Sequence, residues 1–457
     1  MKRDAEWRGP RLPWVAVALA LGGWACGSGH EPARERYNLL LVSFDTTRAD
    51  HVSSYGYERS TTPNLDALAA EGHRFENAYT VMNTTLPSHA ALFTSLPPAS
   101  LGVLKNGDTL PEPADTLPER LRREGYATGG FVSAAPLHPS FGFSQGFDEY
   151  GTPPRRQQRK AEETVQSALA WLDGVGDEPS FTFVHFYDPH TMYDAPAEFR
   201  AAMGAGDLAQ PVFRKFPHTL NGYDANFARS TVNSYDAEIL YADHQLGVLL
   251  EGLEQRGLRE RTIVAVFADH GESLEEFLEC CNYLFSHGDF LSPHELRIPL
   301  VLWLPPSLEV EASRTYPELV STLDVLPTLL ELLDVPAEGL LEGRSLAGLL
   351  RGEPLKDATL VCAKHTNPKF KPDPLVEGGE WAVVRGDLMW IHSERRGEHY
   401  YRGGEAIEVD ALDAALRDEF SEHLKSWREV HRAPLWGSGD GEIDPVLLEE
   451  LRALGYF

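Results

Sequence analysis

Three predominantly apolar runs are the clearest feature of the hydrophobic pattern along this chain. They are Tyr37–Phe44, Ser180–Tyr187 and Thr262–Ala268. The first and third are almost entirely apolar, which is typical of strands buried on both faces of a parallel sheet. The pattern therefore predicts three central strands that lie far apart in the sequence.

Segments with helix signals alternate with these runs. The predicted helices are Thr62–Gly72, Pro118–Gly125, Ala161–Leu172, Tyr235–Gln255 and Ser321–Leu330. A further strand is predicted at Ile298–Leu304, and residues 195–227 are predicted to cross the surface. Alternating strands and helices predict an α/β fold with a doubly wound, mostly parallel sheet over residues 37–356. Asp324 is assigned to a helix cap.

The pattern changes after about residue 357. Short strands with alternating polarity follow, such as Trp381–Arg385 and Leu388–His392, and helices come later. This pattern predicts a smaller C-terminal domain, residues 357–457, built as an antiparallel α+β unit.

Each of the three apolar runs is followed by an acidic residue. Asp45 follows the first, Asp188 with His190 follows the second, and Asp269 with His270 follows the third. An Asp after one strand is usually a turn or cap residue. Because ligands bind at the carboxyl edge of such sheets, three acidic strand ends indicate a functional site.

Thr85 lies in a stretch that predicts a helix start. Pro87 fits the first turn, where its missing N–H costs nothing, and an apolar helix continues to about Ser95. Backbone N–H groups at a helix start favour an anion, so Thr85 is a candidate nucleophile. The alternative is an ordinary Thr N-cap.

The N-terminus has the pattern of an export signal. Lys2 and Arg3 precede an apolar run at residues 12–21, which is too short to span a bilayer comfortably. Ala25-Cys26 resembles the end of a bacterial lipoprotein signal. We expect residues 1–26 to be a signal peptide, Cys26 to carry a lipid and residues 27–36 to be a linker. The expected location is the periplasm or cell envelope. We expect the protein to attach to the membrane only through this lipid anchor.

Composition and charge narrow the function further. The chain has 457 residues and a formal net charge of -28, which argues against binding to nucleic acid. A site for an anionic substrate must therefore create a local positive field, and metal ions do this best. Besides Cys26, the cysteines allow one bridge, from Cys280 or Cys281 to Cys362.

An ordered set of motifs resembles sulfatase-type members of the alkaline phosphatase superfamily. The matching segments are 45–51, 55–57, 62–66, 145–148, 188–190, 268–272, 297–300 and 324–328. They extend from about residue 37 to residue 350. The resemblance implies the corresponding α/β fold and an ester hydrolase.

The resemblance also implies roles for individual residues. Divalent metal ligands would be Asp45, Thr85, Asp269 and His270. His287 would bind a second metal or the substrate anion, His190 would contact substrate, and Asp188 with His190 would form an uncertain second site. One or two ions are expected; zinc or manganese is favoured and calcium is an alternative.

Departures from the family pattern concern the nucleophile. Thr85 stands where sulfatases carry the Cys or Ser that becomes formylglycine, and His89 stands where they carry Arg. Thr-x-Pro-x-His resembles the phosphodiesterase and phosphotransferase branches, which use an unmodified Thr. The resemblance thus assigns catalysis to Thr85, His89 and His190. Substrate contacts are assigned to both histidines, to His287 and to Arg48, although Arg48 can equally pair with a carboxylate.

The sequence therefore predicts a metal-dependent hydrolase that cleaves phosphate, phosphonate or sulfate esters through Thr85. The expected substrate is an anionic ester of a small molecule or glycan. One alternative is a sulfatase that works without formylglycine. Another is a non-catalytic surface lipoprotein that binds sulfated or phosphorylated glycans.

Overall fold

A nine-stranded mixed sheet forms the centre of the protein. The computed structural model describes residues 36–154, 157–176, 178–205, 225–277, 285–308, 310–366, 378–436 and 449. The predicted signal peptide, Cys26, residues 27–35 of the linker, Cys280 and Cys281 lie outside the described residues. The strands of this sheet are β1 (Asn38–Phe44), β2 (His73–Tyr79), β3 (Ala127–Phe131), β4 (Glu149–Gly151), β5 (Ser180–Phe186), β6 (Thr262–Ala268), β7 (Arg297–Ile298), β8 (Leu300–Trp303) and β9 (Arg314–Ser321).

Helices cover both faces of this sheet. They are α1 (Pro63–Glu71), α2 (Thr85–Thr94), α3 (Pro98–Leu101), α4 (Leu117–Arg123), α5 (Ala161–Val175), α6 (Ala197–Ala202), α7 (Ala225–Gln255), α8 (Pro293–Leu296), α9 (Thr322–Leu332) and α10 (Ala347–Leu350). Helix α7 begins ahead of the predicted Tyr235, and α6 lies in the predicted surface segment. The doubly wound α/β fold is confirmed.

Strand order places the three predicted central strands side by side. The order is β4-β3-β5-β1-β6-β8-β2-β7, and β9 pairs with β2. Strand β1 is parallel to both β5 and β6, and Phe44 pairs with Phe186 on one side and with Ala268 on the other. Asp45 and Asp269, the next residues on β1 and β6, therefore lie at the same edge.

Alternate residues of the central strands serve two hydrophobic cores. Leu39 and Leu41 of β1 face the core that includes helices α2, α4 and α9. Leu40 and Val42 face the core that includes α1, α5 and α7. Both faces are thus buried, which explains the low polarity of these strands.

The predicted strand Ile298–Leu304 is divided in the structure. Pro299 separates β7 from β8, because proline has no N–H for the strand ladder. Strand β8 runs antiparallel to β6, so the sheet is mixed on that side.

A second sheet follows, as predicted, near the C-terminus. Its antiparallel strands, in order, are β10 (Leu360–Thr366), β11 (Gly378–Arg385), β12 (Leu388–Ser393), β13 (Gly397–Arg402) and β14 (Glu405–Ile407). One face packs against apolar residues of the main fold, including Tyr79 and Leu291. Helix α11 (Ala414–Val430) covers the other face through Phe420 and Leu424. The chain from Arg36 onward forms one compact unit, which does not mark a boundary at residue 357. The predicted domain boundary there stays a prediction.

Cys362 of β10 is a free, buried thiol. Its Sγ donates a hydrogen bond to the Thr80 carbonyl at 3.2 Å, so the suggested bridge is not formed at this residue. Within the described ranges, every helix is too short or too polar to cross a lipid bilayer.

Candidate active site

Thr85 is the first residue of α2, as the sequence predicts. Its neighbour Thr84 has extended backbone angles, and all residues of the helix are buried. The Thr85 hydroxyl donates a long hydrogen bond of 3.4 Å to Oδ2 of Asp45. Thr85 thus combines a position at a helix N-terminus with contact to the acidic end of β1.

Asp45, Asp269 and His270 form a compact cluster beside Thr85. One potential ligand atom from each residue lies within 4.8 Å of the others, and all three side chains are fully buried. Carboxylate oxygens with an imidazole nitrogen suit zinc or manganese, and calcium fits less well with the imidazole. The parallel register of β1 and β6 brings these residues together.

In each cluster residue, one polar side-chain atom is hydrogen-bonded within the protein, and another has no hydrogen-bond partner among the described residues. Asp269 Oδ1 accepts from the backbone N–H groups of Thr46 and His270, at 3.1 and 2.8 Å. His270 Nδ1–H donates to the Gly271 carbonyl at 2.8 Å. Asp45 Oδ1, Asp269 Oδ2 and His270 Nε2 have no hydrogen-bond partner among the described residues. Because buried polar atoms are costly when unpaired, this donor set fits a divalent cation.

The electrostatics of the cluster support the same conclusion. Burial raises the pKa of Asp45 to about 7, against the opposing effect of His270 and the Thr85 hydroxyl. Burial raises the pKa of Asp269 as well, and the charge of Asp45 raises it further. A nearby positive charge would favour the ionised form of both carboxylates.

His287 and His190 extend the cluster. The His287 ring lies 4.5 Å from the His270 ring and 4.9 Å from the His190 ring, centroid to centroid. His190 Nδ1–H donates to the Thr191 carbonyl at 2.6 Å, and His287 Nδ1 lies 3.1 Å from Glu272 Oε1. The three histidine rings are thus neighbours, and the predicted contacts of His190 and His287 with an anion or a second ion stay predictions.

Comparisons with known proteins identify the family. The profile described as Sulfatase matches residues 37–335. The chain belongs to the sulfatase family. It is 23% identical over 478 residues to an arylsulfatase of Clostridium perfringens (strain 13 / Type A). The alignment covers 89% of this chain and 96% of the arylsulfatase. This sulfatase-family chain is thus a sulfatase-like ester hydrolase of the alkaline phosphatase superfamily.

Two solved structures are similar to this sulfatase-family fold. The phosphonate monoester hydrolase of Agrobacterium radiobacter aligns with a TM-score of 0.70 at 20% identity, over 87% of this chain and 96% of that chain. A protein in complex with its substrate D-glucosamine-2-N,6-O-disulfate aligns with a TM-score of 0.71 at 18% identity, over 87% and 98% of the two chains.

Asp188 is not a member of the three-residue cluster of this sulfatase-family enzyme. Its Oδ1 accepts from the N–H of Ala161, at the start of α5, at 3.3 Å. Burial raises the pKa of Asp188 to about 6, while Lys160 lowers it. Within the described residues, Asp188 and His190 do not form a three-ligand group, so the second ion remains a prediction.

The position of His89 corrects its predicted contact with substrate. The side chain is fully buried, and both ring nitrogens have partners: Nδ1–H donates to the Thr85 carbonyl at 2.7 Å, and Nε2 accepts from the Ser43 hydroxyl at 2.9 Å. His89 therefore supports the helical turn that carries Thr85.

Arg48 is also placed differently from its predicted anion contact. Its guanidinium pairs with Asp50 Oδ2 at 2.6 Å and with Glu276 Oε1 at 2.5 Å. The structure thus favours the alternative, in which Arg48 neutralises carboxylates.

Sequence reasoning missed His185 and Glu272. His185, on β5, is fully buried, and its Nε2 lies 3.0 Å from Asp45 Oδ2. Glu272 is fully buried beside His287. A histidine inside an otherwise apolar strand was the available signal for His185, because such a residue needs a buried partner.

Gly271 provides a test of the site geometry in this sulfatase-family enzyme. A Cβ at residue 271 would lie 1.9 Å from the His294 carbonyl oxygen. We expect Gly271→Ala to displace His270 and to lower zinc affinity by about 10-fold or more. Gly174→Ala in α5 is the matched control, since its Cβ meets nothing within 4 Å. Zinc titration of both variants checks this, and unchanged affinity in Gly271→Ala would contradict it.

Proposed function

We propose that this enzyme is a metal-dependent hydrolase that cleaves phosphate or phosphonate esters through Thr85. The observation that carries the proposal is the Thr85 hydroxyl at the start of α2, directed at Asp45 of the buried Asp45–Asp269–His270 cluster. Threonine cannot yield the formylglycine aldehyde, so the proposal requires an unmodified hydroxyl as nucleophile.

The reaction follows from the positions of these groups. Thr85 Oγ1 gives up its proton as it bonds to phosphorus, the bond from phosphorus to the ester oxygen breaks, and that oxygen takes up one proton and leaves as an alcohol. Water then attacks the phosphoryl-threonine, which releases phosphate or phosphonate and restores the Thr85 hydroxyl. A divalent cation held by Asp45, Asp269 and His270 would supply the positive charge that activates the hydroxyl and stabilises the developing negative charge. Asp45 Oδ2 accepts a hydrogen bond from the Thr85 hydroxyl at 3.4 Å. His190 and His287 would contact the oxygens of the substrate anion.

Mechanism favours phosphorus over sulfur. A formylglycine hydrate expels sulfate through its second hydroxyl, whereas an esterified threonine must wait for water to attack. Phosphoryl transfer through a hydroxyl needs only positioning and positive charge. A phosphonate monoester hydrolase of similar fold supports this choice.

Sulfate ester hydrolysis by unmodified Thr85 is the second candidate. It is supported by the arylsulfatase relative and by the similar fold that binds a glucosamine disulfate. Either candidate is compatible with a glycan or small-molecule ester. The proposal also includes export and a lipid anchor at Cys26, supported by the basic and apolar pattern of residues 1–26.

A comparison of ester classes tests the proposed function. Metal-stripped protein is assayed with aryl phosphate, phosphodiester, phosphonate monoester and sulfate ester, each with added zinc, manganese or calcium. We expect a phosphorus ester to exceed the sulfate ester by about 10-fold or more in kcat/KM, and only with metal present. A preference for the sulfate ester would support the second candidate. Full turnover of stripped protein in chelator would contradict metal dependence.

A further inference from the structure

His185 is a buried histidine that the fold alone does not require. It occupies the next-to-last position of β5, between Val184 and Phe186, and is paired in register with Ser43 of β1. Its Nδ1 has no hydrogen-bond partner among the described residues. Because an unpaired buried nitrogen lowers stability, an apolar residue at this position would make the hydrophobic core more stable.

The contact that His185 does make is to Asp45. Nε2 lies 3.0 Å from Asp45 Oδ2, and both side chains are fully buried. A carboxylate can only accept, so Nε2 carries the hydrogen when Asp45 is ionised. The neutral tautomer with hydrogen on Nε2 leaves Nδ1 as the unpaired acceptor.

The orientation of the Asp45 carboxylate depends on a side-chain donor, whereas backbone groups orient the other two cluster residues. Asp269 Oδ1 is held by two backbone N–H groups, and His270 Nδ1 is held by a backbone carbonyl. The donors recorded for the Asp45 carboxylate in the described part of the chain are His185 and the more distant Thr85 hydroxyl.

We propose that His185 is a positioning residue that donates from Nε2 to Asp45 Oδ2. This bond holds the carboxylate so that Oδ2 faces the Thr85 hydroxyl, and Oδ1, which accepts no hydrogen bond from the described residues, would be available to a divalent cation. The inference rests on the proposed function, specifically on metal binding by Asp45. Hydrogen-bonding partners that orient metal ligands typically contribute 10- to 100-fold in metal affinity or activity.

The test uses two amides that imitate the two ring nitrogens. The side-chain nitrogen of His185→Gln can reach the place of Nε2, whereas that of His185→Asn reaches only the place of Nδ1. His185→Phe keeps the ring volume without a donor. Metal-stripped full-length protein is titrated with zinc in competition with a chromophoric chelator. In a separate assay, kcat and KM are measured on the ester that gives the highest kcat/KM.

We expect His185→Asn and His185→Phe to weaken zinc binding by about 10- to 100-fold and to lower kcat more than they raise KM. His185→Gln should stay within about 3-fold of the unaltered protein, since it restores the donor. Thermal unfolding of the stripped proteins should not follow this order. If His185→Phe fails to fold, the Gln and Asn pair still decides the result.

Asp45→Asn separates failure of this inference from failure of the proposed function. If the unaltered protein and Asp45→Asn both bind no zinc, manganese or calcium, metal dependence itself is wrong. If Asp45→Asn loses zinc but all His185 variants bind it normally, only the positioning role is overturned. Equal losses in the Gln, Asn and Phe variants, tracking lost stability, would also overturn it in favour of a packing role.

Discussion

Thr85→Ala is expected to reduce kcat by about 1,000-fold or more, because the substitution removes the atom that accepts the phosphoryl group. The fold should survive, since the hydrogen bond from the Thr85 hydroxyl to Asp45 is long, at 3.4 Å, and the substitution keeps a good helix former at the start of α2. Zinc content should be largely retained, because the two carboxylates and His270 remain. Turnover is measured on the best ester, and a covalent adduct on the Thr85 peptide is sought by mass spectrometry after rapid quenching.

Two variants control this experiment. Thr85→Ser keeps a hydroxyl and should keep much of the activity. The second control is Thr94→Ala. Thr94 lies at the other end of α2, and its hydroxyl donates a hydrogen bond to the Ala90 carbonyl at 2.7 Å. This substitution should cost about 1 kcal/mol of stability and leave turnover unchanged. Substantial turnover by Thr85→Ala would remove Thr85 from the mechanism.

Asp269→Asn is expected to reduce zinc affinity by about 100-fold or more and to abolish most turnover. The amide oxygen can still accept from the Thr46 and His270 N–H groups, while an amide NH₂ replaces the oxygen that has no partner in the described protein. The stripped variant should be at least as stable as the stripped parent, because a buried charge has been removed. Zinc titration, metal analysis and thermal unfolding measure these effects.

Asp324→Asn is the matched control for a buried aspartate outside the site. Asp324 accepts from the Ser321 and Arg344 N–H groups and pairs with the Arg344 side chain at 2.9 Å. Its loss should lower stability by about 1–3 kcal/mol without changing zinc affinity. Normal zinc content in Asp269→Asn would contradict the metal site.

The strands that carry the site were predictable because their burial on both faces leaves a strong apolar pattern. The predicted bounds of β6, Thr262–Ala268, match the structure, and β1 and β5 differ by one residue at one end. The acidic residues after β1 and β6 were therefore placed at the correct edge of the sheet. Strand β9 was not predicted, because Pro317 and its charged residues hide the pattern.

The side-chain partners could not be predicted in the same way. His89 was assigned to the substrate, and Arg48 either to the substrate or to a neighbouring carboxylate. Tertiary contacts pair Arg48 with Glu276 and His89 with Ser43. His185 meets Asp45 only because β5 and β1 lie side by side. Sequence distance carries no information about such pairs, so these bonds emerge only from the folded arrangement.

The register of β1 and β6 gives the proposed metal site a further property. Asp45 and Asp269 are more than two hundred positions apart, and they become neighbours only when Phe44 pairs with Ala268. A slip of one residue would turn every side chain of one strand to the opposite face. An ion bound by both carboxylates thus distinguishes the native strand alignment from misaligned ones, and mass action favours chains that have paired correctly.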